Sequence, residues 1–127
     1  MLALVALVAA LAVVAPTAAA PQACRPCGVV RSNLQIGWKA ANAYAATHAG
    51  RFPTGRAFVL AVLEITAGLD PGVGGIAKAR ALHDPAAVLI DPASTSSRIV
   101  LWGRAANGVV VSLTGRRGGG PTIHVGG

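Results

Sequence analysis

A chain of 127 residues suits one domain, and with residues 1–20 given over to a membrane or export segment, about 100 remain to build a core. It is 54% hydrophobic, 12% charged and 4% aromatic, so burial comes from many small Ala, Val and Leu contacts rather than from a few large rings. The net charge of +7, from 11 Lys+Arg against 4 Asp+Glu, raises nucleic acid or an anionic membrane surface as partners. However, the basic residues are scattered singly from Arg25 to Arg104, with Arg116-Arg117 the only adjacent pair, and no aromatic residues interleave with them as stacking platforms. The sequence therefore identifies no specific nucleic-acid site.

From Leu2 to Ala20 the only polar side chain is that of Thr17. Leu2, Leu4, Val5, Leu7, Val8, Leu11, Val13 and Val14 lead up to Pro16, and nineteen such residues as a helix span roughly 28 Å, close to the hydrocarbon thickness of a bilayer. The segment predicts an apolar membrane or export helix with the lipid bilayer as its partner. No Lys or Arg precedes the apolar run as in an ordinary secretory signal, although small residues at Thr17 and Ala19 would permit cleavage after Ala19.

Pro16, Pro21 and Pro26 each disfavour a regular helix, so residues 21–27 are expected to form a Pro/Cys linker to a head spanning residues 28–127. After Gly28 the pattern changes. Val30, Leu34, Trp38, Ala41, Ala45 and His48 recur at helical spacing, and Arg31, Asn33, Lys39 and Asn42 take the opposite side, which predicts an amphipathic helix over about 28–49 stopped by Gly50 and Pro53. Val30, Leu34, Trp38, Ala41 and Ala45 are the predicted contact with a sheet.

Thr54 is positioned to cap a short second helix through Phe58, Leu60, Val62, Leu63 and Ile65, followed by a turn at Asp70-Pro71-Gly72 and a further turn of helix over 76–82. Residues 87–90, 98–102, 108–113 and 121–125 have the length and β-branched content of strands. Asn107-Gly108 predicts an antiparallel hairpin between the second and third of these, and the Gly/Arg-rich run from Gly115 to Gly120 is expected to be mobile. The fold class expected is α+β, with an N-terminal apolar helix and an amphipathic helix packed on a small antiparallel β-sheet.

This order of parts resembles the type IV pilin and type II secretion pseudopilin family. Ala15-Pro16-Thr17 looks like the end of a pilin's membrane-spanning half-helix, and Arg31-Ser32-Asn33-Leu34 like the basic-Ser-polar-Leu step of its exposed half. Ala43-Tyr44-Ala45-Ala46-Thr47-His48-Ala49-Gly50-Arg51-Phe52-Pro53-Thr54 is similar to the close of that helix, and the separation of Thr17 from Pro53 fits without a gap. The run from Ile99 to Leu113 looks like the sheet ending of pilin-like proteins from high-GC Gram-positive bacteria. The family's processing signal, a Gly followed by Phe-Thr-Leu-Ile-Glu or a close relative, is missing from the sequence and by the family's spacing is expected just before Met1. The resemblance implies a single-pass membrane subunit with an extracytoplasmic head, or an extracellular filament, whose partners are like subunits of a filament or secretion apparatus.

Cys24-Arg25-Pro26-Cys27 is the motif richest in chemistry, since two thiols at this spacing can close a disulfide or share a soft metal. An apolar segment precedes it where a thioredoxin-like site needs a strand, Gly28 stands where covalent haem attachment needs His, and no further Cys or His pair completes a zinc site. In an exported chain a local disulfide is favoured, followed by unpaired or intermolecular thiols, then redox or metal function. His48, His83 and His124 are dispersed; Glu64, Asp70, Asp84 and Asp91 show no paired spacing; Ser94–Ser97 lacks a base partner. Gly72-Val73-Gly74-Gly75 has neither a leading strand nor a following Lys-Ser/Thr and reads as a turn. No catalytic residue, metal ligand or cofactor-binding residue is assigned. The expectation is a non-enzymatic structural subunit of a pilus or secretion filament that assembles through its apolar N-terminus. The alternative is a secreted binding or thiol-redox module with a cleaved signal peptide and an active Cys24–Cys27 pair.

Overall fold

Pro26 sets the start of the first helix. Its ring fixes φ near the helical value and its missing N–H costs nothing at a helix start, so α1 runs from Cys27 to Ala46 without a side-chain cap. The computed structural model describes residues 24–126. After α1 the chain passes through Ala49 and Gly50 at positive φ, and the Gly50 amide donates back to Ala45 O at 2.8 Å, which closes the helix. Phe52 and Pro53 are then buried, and the Phe52 ring lies 5.4 Å from that of Trp38, so the turn is pinned beneath the end of α1.

The second helix, α2 (Arg56–Ile65), starts at Gly55 at φ 54 with no side-chain cap. The predicted Thr54 hydroxyl cap is not made; instead the amides of Ala57 and Phe58 bond to the carbonyls of Thr54 and Gly55. Strand β1 (Asp70–Val73), helix α3 (Ile76–Arg80) and strands β2 (Ala87–Ile90), β3 (Arg98–Arg104), β4 (Val110–Arg116) and β5 (Thr122–Val125) follow in that order.

The five strands form one sheet in sequence order, with β1 parallel to β2 and each later pair antiparallel. This corrects the expected small antiparallel sheet. Asp70-Pro71-Gly72 reads as a turn by composition, yet it is an edge strand in which the amides of Asp70 and Gly74 bond to Ala86 O and Ile90 O. Pro71, between them, directs its missing donor to the open edge, where it is tolerated. A parallel pair needs a crossover, and residues 74–86 supply it through α3. The other part of the expected fold, an apolar helix over residues 1–20 including Leu2, Leu4, Val5, Leu7, Val8, Leu11, Val13, Val14 and Pro16, lies outside the described residues. Among those described, no helix is long and apolar enough to cross a membrane.

Strand alternation sorts the sheet into two faces. Ile99, Leu101 and Gly103 of β3 and Val111, Leu113 and Gly115 of β4 are buried under α1, where Val30, Leu34, Ala41 and Ala45 are also buried and Trp38 is half-buried. Filling each buried Leu, Ile or Phe position contributes about 1.5–3 kcal/mol. On the opposite face, α3 places Ala79 against Leu89, Val110 and Trp102 as a smaller cluster. The Gly/Arg-rich stretch is not a free tail: Gly115 and Arg116 end β4, and the turn that follows pairs β4 with β5.

Helix α1 sits close to the sheet because glycines make room. The Trp38 indole occupies the space where a Gly115 Cβ would stand, Val30 approaches Gly103, and Leu101 and Phe58 fill the space beside Gly37. Gly115→Ala is expected to destabilise the fold by about 1–3 kcal/mol, because a rigid indole cannot step aside. A urea melt followed by far-UV circular dichroism reads this as a lowered midpoint, largely recovered when Trp38→Leu is added. Gly120→Ala, with open space around it, should leave the midpoint unchanged.

Candidate functional site

Most of the groups that could carry enzyme chemistry lie apart in the fold, His48 and Glu64 being the two that line one groove, and several are held in structural bonds. Asp84 accepts from the Ala86 amide at 2.9 Å and shapes the turn into β2. Asp91 accepts from the Ala93 amide at 2.8 Å and from Trp102 Nε1 at 2.9 Å. Ser94 Oγ accepts from the Val100 amide and Thr95 Oγ1 from the Arg98 amide, so the serine and threonine cluster pins the β2–β3 connection. His48 stacks on Tyr44 with centroids 3.6 Å apart, its Nδ1 2.7 Å from Tyr44 O. His124 lies on β5 opposite Ser112. Among the described residues no three His, Cys, Asp or Glu side chains converge as metal ligands. Gly72–Gly75 is part of β1 and its exit, where the Lys78 side chain covers Gly74 and its Nζ donates to Val73 O at 3.0 Å. That lysine therefore closes the loop on itself and leaves no phosphate cradle.

Cys24 and Cys27 form a disulfide, with their Cα atoms 5.4 Å apart. The bond spans the start of α1. Cys27 is 2% exposed and packs with Val30 and Leu34 in the main core, while Cys24 is half-buried and its Sγ accepts from the Asn107 side-chain amide at 3.7 Å. The β3–β4 turn thus touches the point at which the chain enters the head. A sulfur held inside a core is a poor target for thiol exchange, which needs access for the attacking thiolate.

The remaining candidate is a surface. Helix α2 buries Phe58, Ala61 and Val62 against α1 and β1, but it is apolar on nearly all sides: Leu60, Leu63 and Ile65 are each about half exposed, at 50%, 49% and 50%. A helix apolar all round is normally covered all round. Between α1 and α2 an open groove of ≈ 450 Å³ is lined by Ala40, Ala43, Tyr44, Thr47 and His48 from the α1 side and by Ala57, Leu60, Ala61, Glu64 and Ile65 from α2. Small residues on both walls let another element approach closely. Helical periodicity places Leu60, Leu63 and Ile65 in a helix without marking them as surface, although seven of the eight residues from Phe58 to Ile65 are apolar, more than one buried face requires.

No family model, curated protein or solved structure matches this chain.

The disulfide closes a loop of sequence separation 3, so its removal is expected to cost no more than about 2 kcal/mol by loop entropy. Cys24→Ser/Cys27→Ser should therefore remain folded with a modestly lower denaturation midpoint. Alkylation of the unreduced native protein by a maleimide should label neither cysteine.

Proposed function

We propose that the chain is an exported, membrane-anchored structural subunit of a filament of the type IV pilus or type II secretion kind, held at the bilayer by its apolar segment 2–20 and packed against like subunits through the α1–α2 flank of its head. The observation that carries this reading is the half-exposed apolar side of α2 beside a groove with small-residue walls. Leu60 and Leu63, one turn apart on α2, leave apolar surface exposed on one side of the helix, as protein interfaces do. The apolar run from Leu2 to Ala20 supports anchorage, and the sequence likeness around Pro16, Leu34 and Pro53 supports the filament class. The reading does not need β1 to be antiparallel, since α1 rests on β2, β3 and β4.

The alternative of a secreted thiol-redox module draws less support, because Cys27 is buried and the pair is joined. The test is site-specific photo-crosslinking of the full-length chain in its own membrane. A photoreactive residue at Leu60 is expected to trap a second copy, and one at Ser112 on the far face of the sheet is not. Leu63→Glu should reduce the Leu60 crosslink several-fold by placing a charge in the contact. Equal crosslinking from both positions, or none from Leu60, would overturn the assembly reading. N-terminal sequencing of the exported protein separates the two classes, since loss of the apolar segment by cleavage near Ala19 belongs to the alternative alone.

A further inference from the structure

Four arginines from three parts of the chain are brought to one end of the sheet, Arg98 and Arg116 on the face away from α1 and Arg51 and Arg117 beside Gly50 at the end of α1. Arg98 opens β3 and Arg116 closes β4, and the two are direct cross-strand partners. The Arg117 amide donates to Ser97 O at 3.1 Å, and its guanidinium lies against Gly50. Arg51 is the next residue, held to the same loop by the Phe52 amide donating to Ser96 O at 2.8 Å. All four are exposed, and among the described residues none of their guanidinium groups has a hydrogen-bond or ion-pair partner. Arg104, by contrast, donates its Nη1 to Leu82 O. Like charges directly opposite on neighbouring strands are destabilising. The carboxylate nearest by register, Asp91, is already engaged by Trp102 and Ala93.

The location narrows the partner. Strand β3 carries the chain about 20 Å from Arg98 to Arg104, and Cys24 sits beyond it against Asn107. The arginines thus lie at the end of the head opposite Cys24, where the described chain begins. Arginine forks match phosphate oxygens in pairs. Of the rings near Arg51, Phe52 and Trp38 are packed in or against the core, and His48 and Tyr44 are stacked on each other.

We propose that this end of the head binds the phosphate backbone of a nucleic-acid duplex without reading its sequence. Backbone contact by arginines releases counterions, so binding should weaken with salt by a slope of about 0.9 per phosphate engaged. The inference goes beyond subunit assembly and uses only the position of Cys24.

The test is fluorescence anisotropy of a labelled mixed-sequence DNA duplex of roughly 30 base pairs with the full-length protein in uncharged detergent, over a salt series starting near about 50 mM. Wild type should bind two unrelated duplexes equally. Arg98→Gln/Arg116→Gln should lower the log–log salt slope by about 2 and the affinity about tenfold or more, and Arg51→Gln/Arg117→Gln should act in the same direction. Arg98→Lys/Arg116→Lys keeps the charge, so it should retain most of the slope while losing affinity. Arg25→Gln/Arg31→Gln removes the same charge at the opposite end and should change neither by more than twofold. The proposal is overturned by absence of binding at the lowest salt, or by equal loss in the Arg25/Arg31 variant. It is also overturned if vesicles of anionic phosphatidylglycerol displace the duplex and depend on the same four arginines, which would make a lipid surface the ligand. The Leu60 crosslink reads assembly separately, so either result stands alone.

Discussion

The close seating of α1 on β3 and β4 is the constraint on which the rest of the head depends. With aromatics at 4% of the chain, the core has few large side chains to span a wide gap between helix and sheet. The gap is narrow instead, and glycine makes it so from both sides: Gly103 and Gly115 on the strands receive Val30 and Trp38, and Gly37 on the helix receives Leu101 and Phe58. Three contacts along the helix axis fix its height and its direction across the strands. Glycine in helix and strand interiors carries a conformational cost, which the dense packing at these points offsets.

The same seating determines which surfaces are left over. Helix α1 covers β2, β3 and β4, so α2 can only lie to one side, above β1, where it finds a neighbour on its inner flank and none on its outer one. Helix α3 shields part of the other face through Ala79, but it is only five residues long and reaches no further than Leu89, Trp102 and Val110. The arginine end and the apolar flank are thus different products of one arrangement: a short helix layer laid over a longer sheet.

Much of the helical part was legible in sequence because it depends on local periodicity. The repeat from Val30 to Ala45 specifies a helix and its buried face, and Asn107-Gly108 specifies the hairpin, with Gly108 at φ 92 as such a turn requires. The parallel strand was not legible. Asp70-Pro71-Gly72 has the composition of a turn, and it becomes a strand only because β2 offers carbonyls at Ala86 and Ile90, a contact set by the crossover rather than by neighbouring residues. The start of α2 was misread for a related reason: Thr54 has the side chain of a cap, but Gly55 alone accepts the positive φ that the entry needs.

The candidate sites divide along the same line. The cysteine pair is a local motif and could be picked out by spacing, whereas its burial depends on Val30 and Leu34 folding over it. The arginines are the converse case: Arg51, Arg98 and the Arg116-Arg117 pair are separated along the chain, and strand register with two backbone hydrogen bonds draws them to one end. Charge distribution along a sequence therefore bounds only those basic patches that are built from neighbours. A patch assembled by the first residue of one strand and the last of its partner has no linear signature, because the separation between them is the length of the hairpin. Here that hairpin sets the distance of the positive end from Cys24 as well as the pairing of Arg98 with Arg116, so one structural element gives the head both its polarity and its unbalanced charge.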